Sequence, residues 1–179
     1  MTELEGCVLG VVSLRGPCTA YVVRREFLVS ESPHWSGSAG AIYPLLRRLE
    51  QQKLIRSRSH AWGSGTKKMF AITSRGRAEL RAWIGPPLPQ WTAKPTFDPV
   101  RTRMSFLVAL SPAKRARFIA VARENNAREM AQLREKVRHL DRQADPFEYL
   151  VSMAVLHEAR ARARWLRYVA KELNRLAGG

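Results

Sequence analysis

Only two cysteines, Cys7 and Cys18, occur in 179 residues. Nothing around them has metal-ligand spacing, so neither a disulfide framework nor a structural zinc site is expected. Both read as small apolar core residues in a reducing compartment. The four histidines, His34, His60, His139 and His157, are scattered. His157-Glu158 begins like a zinc-protease motif, but the position of its second histidine holds Ala161. A nucleophile elbow, a phosphate-binding loop and paired carboxylates are all missing, which argues against an enzyme and against a metal or cofactor. No stretch approaches the roughly 18 consecutive apolar residues of a membrane span. Glu3 and Glu5 precede the apolar run from Cys7 to Leu14, where a secretory leader would carry positive charge. A soluble cytoplasmic protein without a membrane partner is expected.

Acid is also scarce: 15 Asp and Glu stand against 31 Lys and Arg, a formal charge of +16. A balance this basic points to a polyanionic partner, nucleic acid before an anionic membrane. The charge is spread over both halves and does not by itself locate a binding face. At 45% hydrophobic residues the chain has ample material for packed cores.

The proline-rich stretch Gly85–Phe97, GPPLPQWTAKPTF, divides the chain into segments 1–84, 85–97 and 98–179. Before it, Leu4, Cys7, Val8 and Val11 fall at helical spacing in a helix from Glu3 to Leu14 that Gly16-Pro17 stops. Thr19 is placed to cap a second helix, with Ala20, Val23 and Phe27 inward, and Ser38 a third that runs to about Gln52. Residues 54–60 and 67–72 read as strands around the turn Trp62-Gly63-Ser64-Gly65. Thr73 then caps a fourth helix, with Gly76, Leu80, Trp83 and Ile84 on one side. Helix, helix, helix, hairpin, helix is the order of a winged helix-turn-helix.

After the linker, Asp98-Pro99, Ser111-Pro112 and Asp145-Pro146 mark three helix starts. The second helix carries Asn126, Met130, Leu133, Val137 and Leu140 at alternating spacings of four and three. The third carries Val151, Ala154, Glu158, Ala161, Trp165 and Tyr168 on a similar seam. Two long helices with such stripes need surface to cover them, and a homodimer would supply it. The fold expected is mainly α with a small β-hairpin wing: a winged helix-turn-helix followed by an α-helical dimerisation domain.

The third helix carries the functional signal. Ile42, Leu45, Leu46 and Leu49, at i, i+3, i+4 and i+7, form its buried stripe. Gly40, Tyr43, Arg47 and Gln51 fall opposite, small at the start, then aromatic, then cationic. A helix entering the major groove of double-stranded DNA by its N-terminal end has that use for small residues and for Arg or Gln. Ser36, Ser38 and Arg48 join this face as candidate DNA contacts, although Arg48 lies beside the core stripe. Pro44, in the first half of the helix, stiffens its start at the loss of one backbone bond. In the hairpin, Arg56, Arg58, Lys67 and Lys68 flank a loop with Gly63 and Gly65. Arg56 and Arg58 also suit a merely solubilising hairpin, so Lys67 and Lys68 are the candidate phosphate contacts; alternate strand residues face opposite ways, and all four cannot reach DNA. A basic protein that binds RNA or packages DNA without sequence preference is the alternative reading.

Gly40-Ala41-Ile42-Tyr43-Pro44-Leu45-Leu46-Arg47-Arg48-Leu49-Glu50 resembles the recognition-helix signature of the PadR family of bacterial transcriptional regulators. Ala20-Tyr21 sits where that family usually has Gly-Tyr. Lys68-Met69-Phe70-Ala71-Ile72-Thr73, followed by Gly76 and Trp83, is similar to its wing strand and following helix. The resemblance covers residues 4–84. It implies a homodimer, commonly a repressor, whose C-terminal helices make the dimer; Val151, Ala154, Ala161, Trp165 and Tyr168 are the candidate contacts. It also implies release by a small aromatic or hydrophobic effector, for which Trp83, Trp91 and Phe97 near the junction are candidates. One departure stands out: the family often has glycine just after the recognition helix, and this chain has Lys53.

Overall fold

The computed structural model describes residues 1–30, 35, 38–63 and 65–177, and the chain divides into two compact units, Met1–Lys94 and Pro95–Gly179. In the first unit, α1 (Glu3–Arg15) and α2 (Ala20–Leu28) are followed by a 3-10 turn (Ser38–Ala41) that leads into α3 (Ile42–Gln51). Strands β1 (Ile55–Trp62) and β2 (Gly65–Ile72) form an antiparallel hairpin, and α4 (Ser74–Ile84) follows. The expected helix, helix, helix, hairpin, helix order is present.

Local chemistry starts these elements. Thr2 and Glu5 form a reciprocal capping box on α1, the Thr19 hydroxyl accepts from the Val22 amide, and that of Thr73 from the Gly76 amide at 2.9 Å. Ser38 does not cap a helix: it opens the 3-10 turn, and α3 begins at Ile42 after Ala41, without a side-chain cap. Pro44 is therefore the third residue of α3. Amides of a first turn have no partner inside the helix, so its missing N–H removes nothing.

The core of this unit is one cluster. Val8, Leu9 and Val12 of α1 meet Val23 and Phe27 of α2, Ile42, Leu45, Leu46 and Leu49 of α3, and Ile55, Phe70 and Ile72 of the hairpin. Trp83 packs against it half-buried, but Ile84, expected on the same face, is 61% exposed. Cys7 and Cys18 are both free, and burial pushes the Cys7 thiol up to about 11.

Two backbone details correct the sequence reading of the hairpin and its approach. The strands run longer than expected, pairing Ile55 with Ile72 through to Trp62 with Gly65, which leaves a connection of positions 63 and 64 with Gly63 at φ 57°. Lys53 takes the left-handed conformation, φ 60°, that glycine would adopt without strain. The junction keeps its shape because the Lys53 carbonyl accepts from the Thr73 hydroxyl at 2.8 Å. Lys53→Gly is expected to raise the stability of this unit by about 0.5–1 kcal/mol, measured by urea denaturation. No gain would mean that the tertiary contacts hold this backbone without strain.

The second unit contains α5 (Pro99–Met104), α6 (Pro112–His139) and α7 (Pro146–Ala177). Each begins where an Asp-Pro or Ser-Pro pair marks it. Asp98 accepts from the Val100 and Arg101 amides and pairs with Arg162 of α7 at 2.9 Å, which ties the short helix to the long one. The stripe of α6 is buried within the chain: Asn126 and Leu133, with Met130 and Val137 beside them, pack on Leu156 and Ala159 of α7, where Ser152 is also buried. The Asn126 side chain donates to the Ala159 carbonyl at 3.0 Å. α7 thus turns the face through Ser152, Leu156, Ala159 and Leu166 toward its own chain. The face through Val151, Ala154, Ala161 and Tyr168 is exposed, and Trp165 is half-buried. No described helix is long and apolar enough to cross a membrane.

Candidate nucleic-acid interface

Burial of Ile42, Leu45, Leu46 and Leu49, each at 4% exposure or less, fixes the rotation of α3. Gly40, Tyr43, Arg47 and Gln51 are consequently exposed on the opposite face. A Cβ added at Gly40 would meet nothing within 4 Å, so the fold itself makes no demand for glycine there. Ser38 is half-buried, and Ser36 lies outside the described residues. The face is small at its N-terminal end and carries its hydrogen-bonding groups one and two turns further on. A recognition helix presented to the major groove needs this arrangement.

The neighbouring cations divide by their partners. Arg48 donates to Glu5 of α1 at 2.8 Å. That contact, the Thr2 backbone bond and the capping hydroxyl hold the Glu5 carboxyl below the usual carboxylate range, the Thr2 backbone bond foremost. Glu50, in the last turn of α3, accepts from Lys68 at 2.8 Å and from the Ser57 hydroxyl, and the Lys68 bond is the largest cause lowering its pKa. Lys68 also stands 5.3 Å from the Phe70 ring centroid. Two of the candidate DNA contacts, Arg48 and Lys68, are thus held by carboxylates that brace α3 to α1 and to the wing. Arg47 has no such partner among the described residues.

Strand register sorts the wing. Ile55, Ser57, Lys68, Phe70 and Ile72 share the face that meets α3 and the core, whereas Arg56, Arg58, His60 and Lys67 share the outer face. Arg56 also lines a small cleft with Arg77 of α4. The alternation was legible in the strand, but the charge at Arg77 was not, because only the packing of α4 brings it beside β1. Of the effector candidates, Trp83 is committed to the first unit's core. A Cβ on Gly6 would lie 2.3 Å from its ring, and its indole N–H donates to Glu3 at 3.2 Å. Trp91 and Phe97 are exposed at 51% and 79%.

Removing an arginine without a partner among the described residues should differ from removing a braced one. Arg47→Ala is expected to weaken binding to a selected operator by about 1–3 kcal/mol and to relax preference at one base position. Arg48→Ala should leave base preference unchanged. Equal losses for Arg47→Ala on operator and random duplexes, read by fluorescence anisotropy, would reduce Arg47 to a phosphate contact.

Residues 8–82 match the transcriptional regulator PadR-like family. The chain is 24% identical to the negative transcriptional regulator PadR of Bacillus subtilis, across 94% of this chain and 96% of that protein. The crystal structure of Bacillus subtilis PadR in complex with operator DNA superposes with a TM-score of 0.82 at 22% identity, covering 96% of this chain and 99% of that one. The structure of the same regulator in complex with p-coumaric acid superposes at 0.77, also at 22% identity, covering 96% and 98%. The winged helix-turn-helix, residues 8–82, is thus a transcriptional regulator PadR-like domain, and the chain as a whole shares the fold of the Bacillus subtilis regulator.

Proposed function

We propose that this protein is a cytoplasmic, sequence-specific DNA-binding transcriptional regulator that acts as a homodimer on a palindromic operator, and that it acts as a repressor. The observation that carries the reading is the exposed Gly40, Tyr43, Arg47 and Gln51 face of α3, held outward by a fully packed opposite stripe. Arg47 and Gln51 read base edges, and the outer cations of the wing neutralise backbone phosphate. The formal charge of +16 supplies long-range attraction to the duplex. The operator complex of the Bacillus subtilis relative supports the DNA partner, and its description as a negative regulator supports repression.

The second unit serves dimerisation. Its α6 stripe is already covered by α7, which leaves Val151, Ala154, Ala161 and Tyr168, with Trp165 at the edge, as the surface for a second copy. Two coupled winged units then read two half-sites. A small aromatic effector that favours the DNA-incompetent arrangement releases the operator; a tenfold loss of affinity needs about 1.4 kcal/mol of that preference. The p-coumaric acid complex of the relative supports this class of effector.

Selection of bound duplexes from a random pool, followed by footprinting at physiological salt, tests the reading. A recurrent two-fold symmetric site is the expected result. Protection without any preferred sequence would replace it with a non-specific nucleic-acid-binding role.

A further inference from the structure

Along the second unit, α6 and α7 leave an open groove of about 470 Å³, within the size range of small-molecule sites. Ala127 and Met130 of α6 and Ala163 of α7 give it apolar character. Arg123, Arg134 and Arg167 stand at its sides, and among the described residues no ion pair or hydrogen bond engages any of the three side chains. The acidic residue beside them, Glu124, is engaged by Arg128. On α6, Arg123 and Arg134 are eleven positions apart, about 16 Å along the axis, with Ala127 and Met130 between them beside Asn126. The groove is therefore elongated, apolar in its middle and cationic toward both ends.

Guanidinium groups stay charged at any ordinary pH and offer paired N–H donors that match a carboxylate or sulfonate. Small side chains below them open room for an apolar body. A phosphate backbone would satisfy the cations but leave the apolar floor wet, and a neutral hydrophobe would fill the floor but leave the cations without a counter-charge. We infer that this groove is a binding site for an amphipathic organic anion, an elongated apolar body carrying a carboxylate or sulfonate held by Arg123 and Arg167. Asn126, in the same groove, fastens α6 to the Ala159 carbonyl of α7. The inference is independent of the DNA-binding face and needs no DNA for its test.

The probes are 1-anilinonaphthalene-8-sulfonate, read by its fluorescence, and decanoate against neutral decanol, read by calorimetry on the full-length protein. Saturable binding of both anions is expected, with decanol at least tenfold weaker. The double substitution Arg123→Gln and Arg167→Gln should weaken the anions at least tenfold and leave decanol unchanged. Ala127→Trp, which fills the floor from an exposed helix position, should abolish binding while the helical circular dichroism and the sedimentation coefficient stay as in the unsubstituted protein. Wild-type affinity for the anions in Ala127→Trp or in the double variant would overturn the proposal, as would equal affinity for decanol. Dissociation of a dimer by Ala127→Trp would overturn it too, because the groove would then belong to a second copy of the chain.

Discussion

Gly76→Ala is expected to destabilise the winged unit by at least about 3 kcal/mol, beyond the usual cost of an overpacked site. Gly76 lies in the first turn of α4, fully buried against the end of α3 and the start of the hairpin. A Cβ there would stand 2.0 Å from the Leu54 carbonyl oxygen and 2.9 Å from Ile72 Cγ1. Leu54 O already accepts from the Thr73 amide and hydroxyl, both at 3.0 Å, so the backbone that would have to move is pinned by the cap of the same helix. Gly40→Ala is the matched control. Its Cβ would enter open space, and stability should stay within about 0.5 kcal/mol of wild type. Urea denaturation followed by circular dichroism distinguishes the two, with the second unit's transition as an internal reference. If Gly40→Ala stays stable but loses operator affinity, the glycine serves close approach of DNA, as the recognition reading requires. If Gly76→Ala unfolds at the wild-type midpoint, α4 does not pack against Leu54 as described.

Val151→Asp combined with Tyr168→Asp should convert the proposed dimer to a folded monomer and lower operator affinity on the order of 10²–10⁴-fold. That is the range lost when two linked binding modules act singly. Val151 and Tyr168 are 60% and 61% exposed, so charges there meet water in an isolated chain and leave the α6–α7 seam intact. In a dimer that buries this face, two copies of each carboxylate would be desolvated close together. Analytical ultracentrifugation with circular dichroism reads assembly and fold, and anisotropy on full and half operators reads affinity. A variant that remains dimeric and folded would move the interface away from this face. Loss of full-operator affinity with unchanged half-operator affinity would show that coupling alone was removed.

Much of this molecule follows from local pattern. The 3.6-residue period of Ile42, Leu45, Leu46 and Leu49 determined which side of α3 is buried, and so which residues are free to meet DNA. Threonine and proline at helix starts, the Asp-Pro and Ser-Pro pairs, and the proline-rich break at 85–97 were legible because each acts through backbone groups a few residues away. The resemblance marked position 53 as one where glycine is usual, but that Lys53 takes the left-handed conformation there, φ 60°, is seen only in the structure. What the tertiary structure alone decided is which charges are already spent. Arg47 and Arg48 are neighbours of one type, yet helix crossing places Glu5 beside Arg48 and leaves Arg47 open. Strand register likewise sends the neighbours Lys67 and Lys68 to opposite faces of the hairpin, and only the packing of the wing on α3 brings Lys68 to Glu50. On α7, two apolar faces compete in the pattern, and only the approach of α6 selects Ser152, Leu156, Ala159 and Leu166 as the inner one. Periodicity specifies a direction around an element. The identity of what waits in that direction is set by contacts between residues distant in sequence, where short-range spacing carries no information.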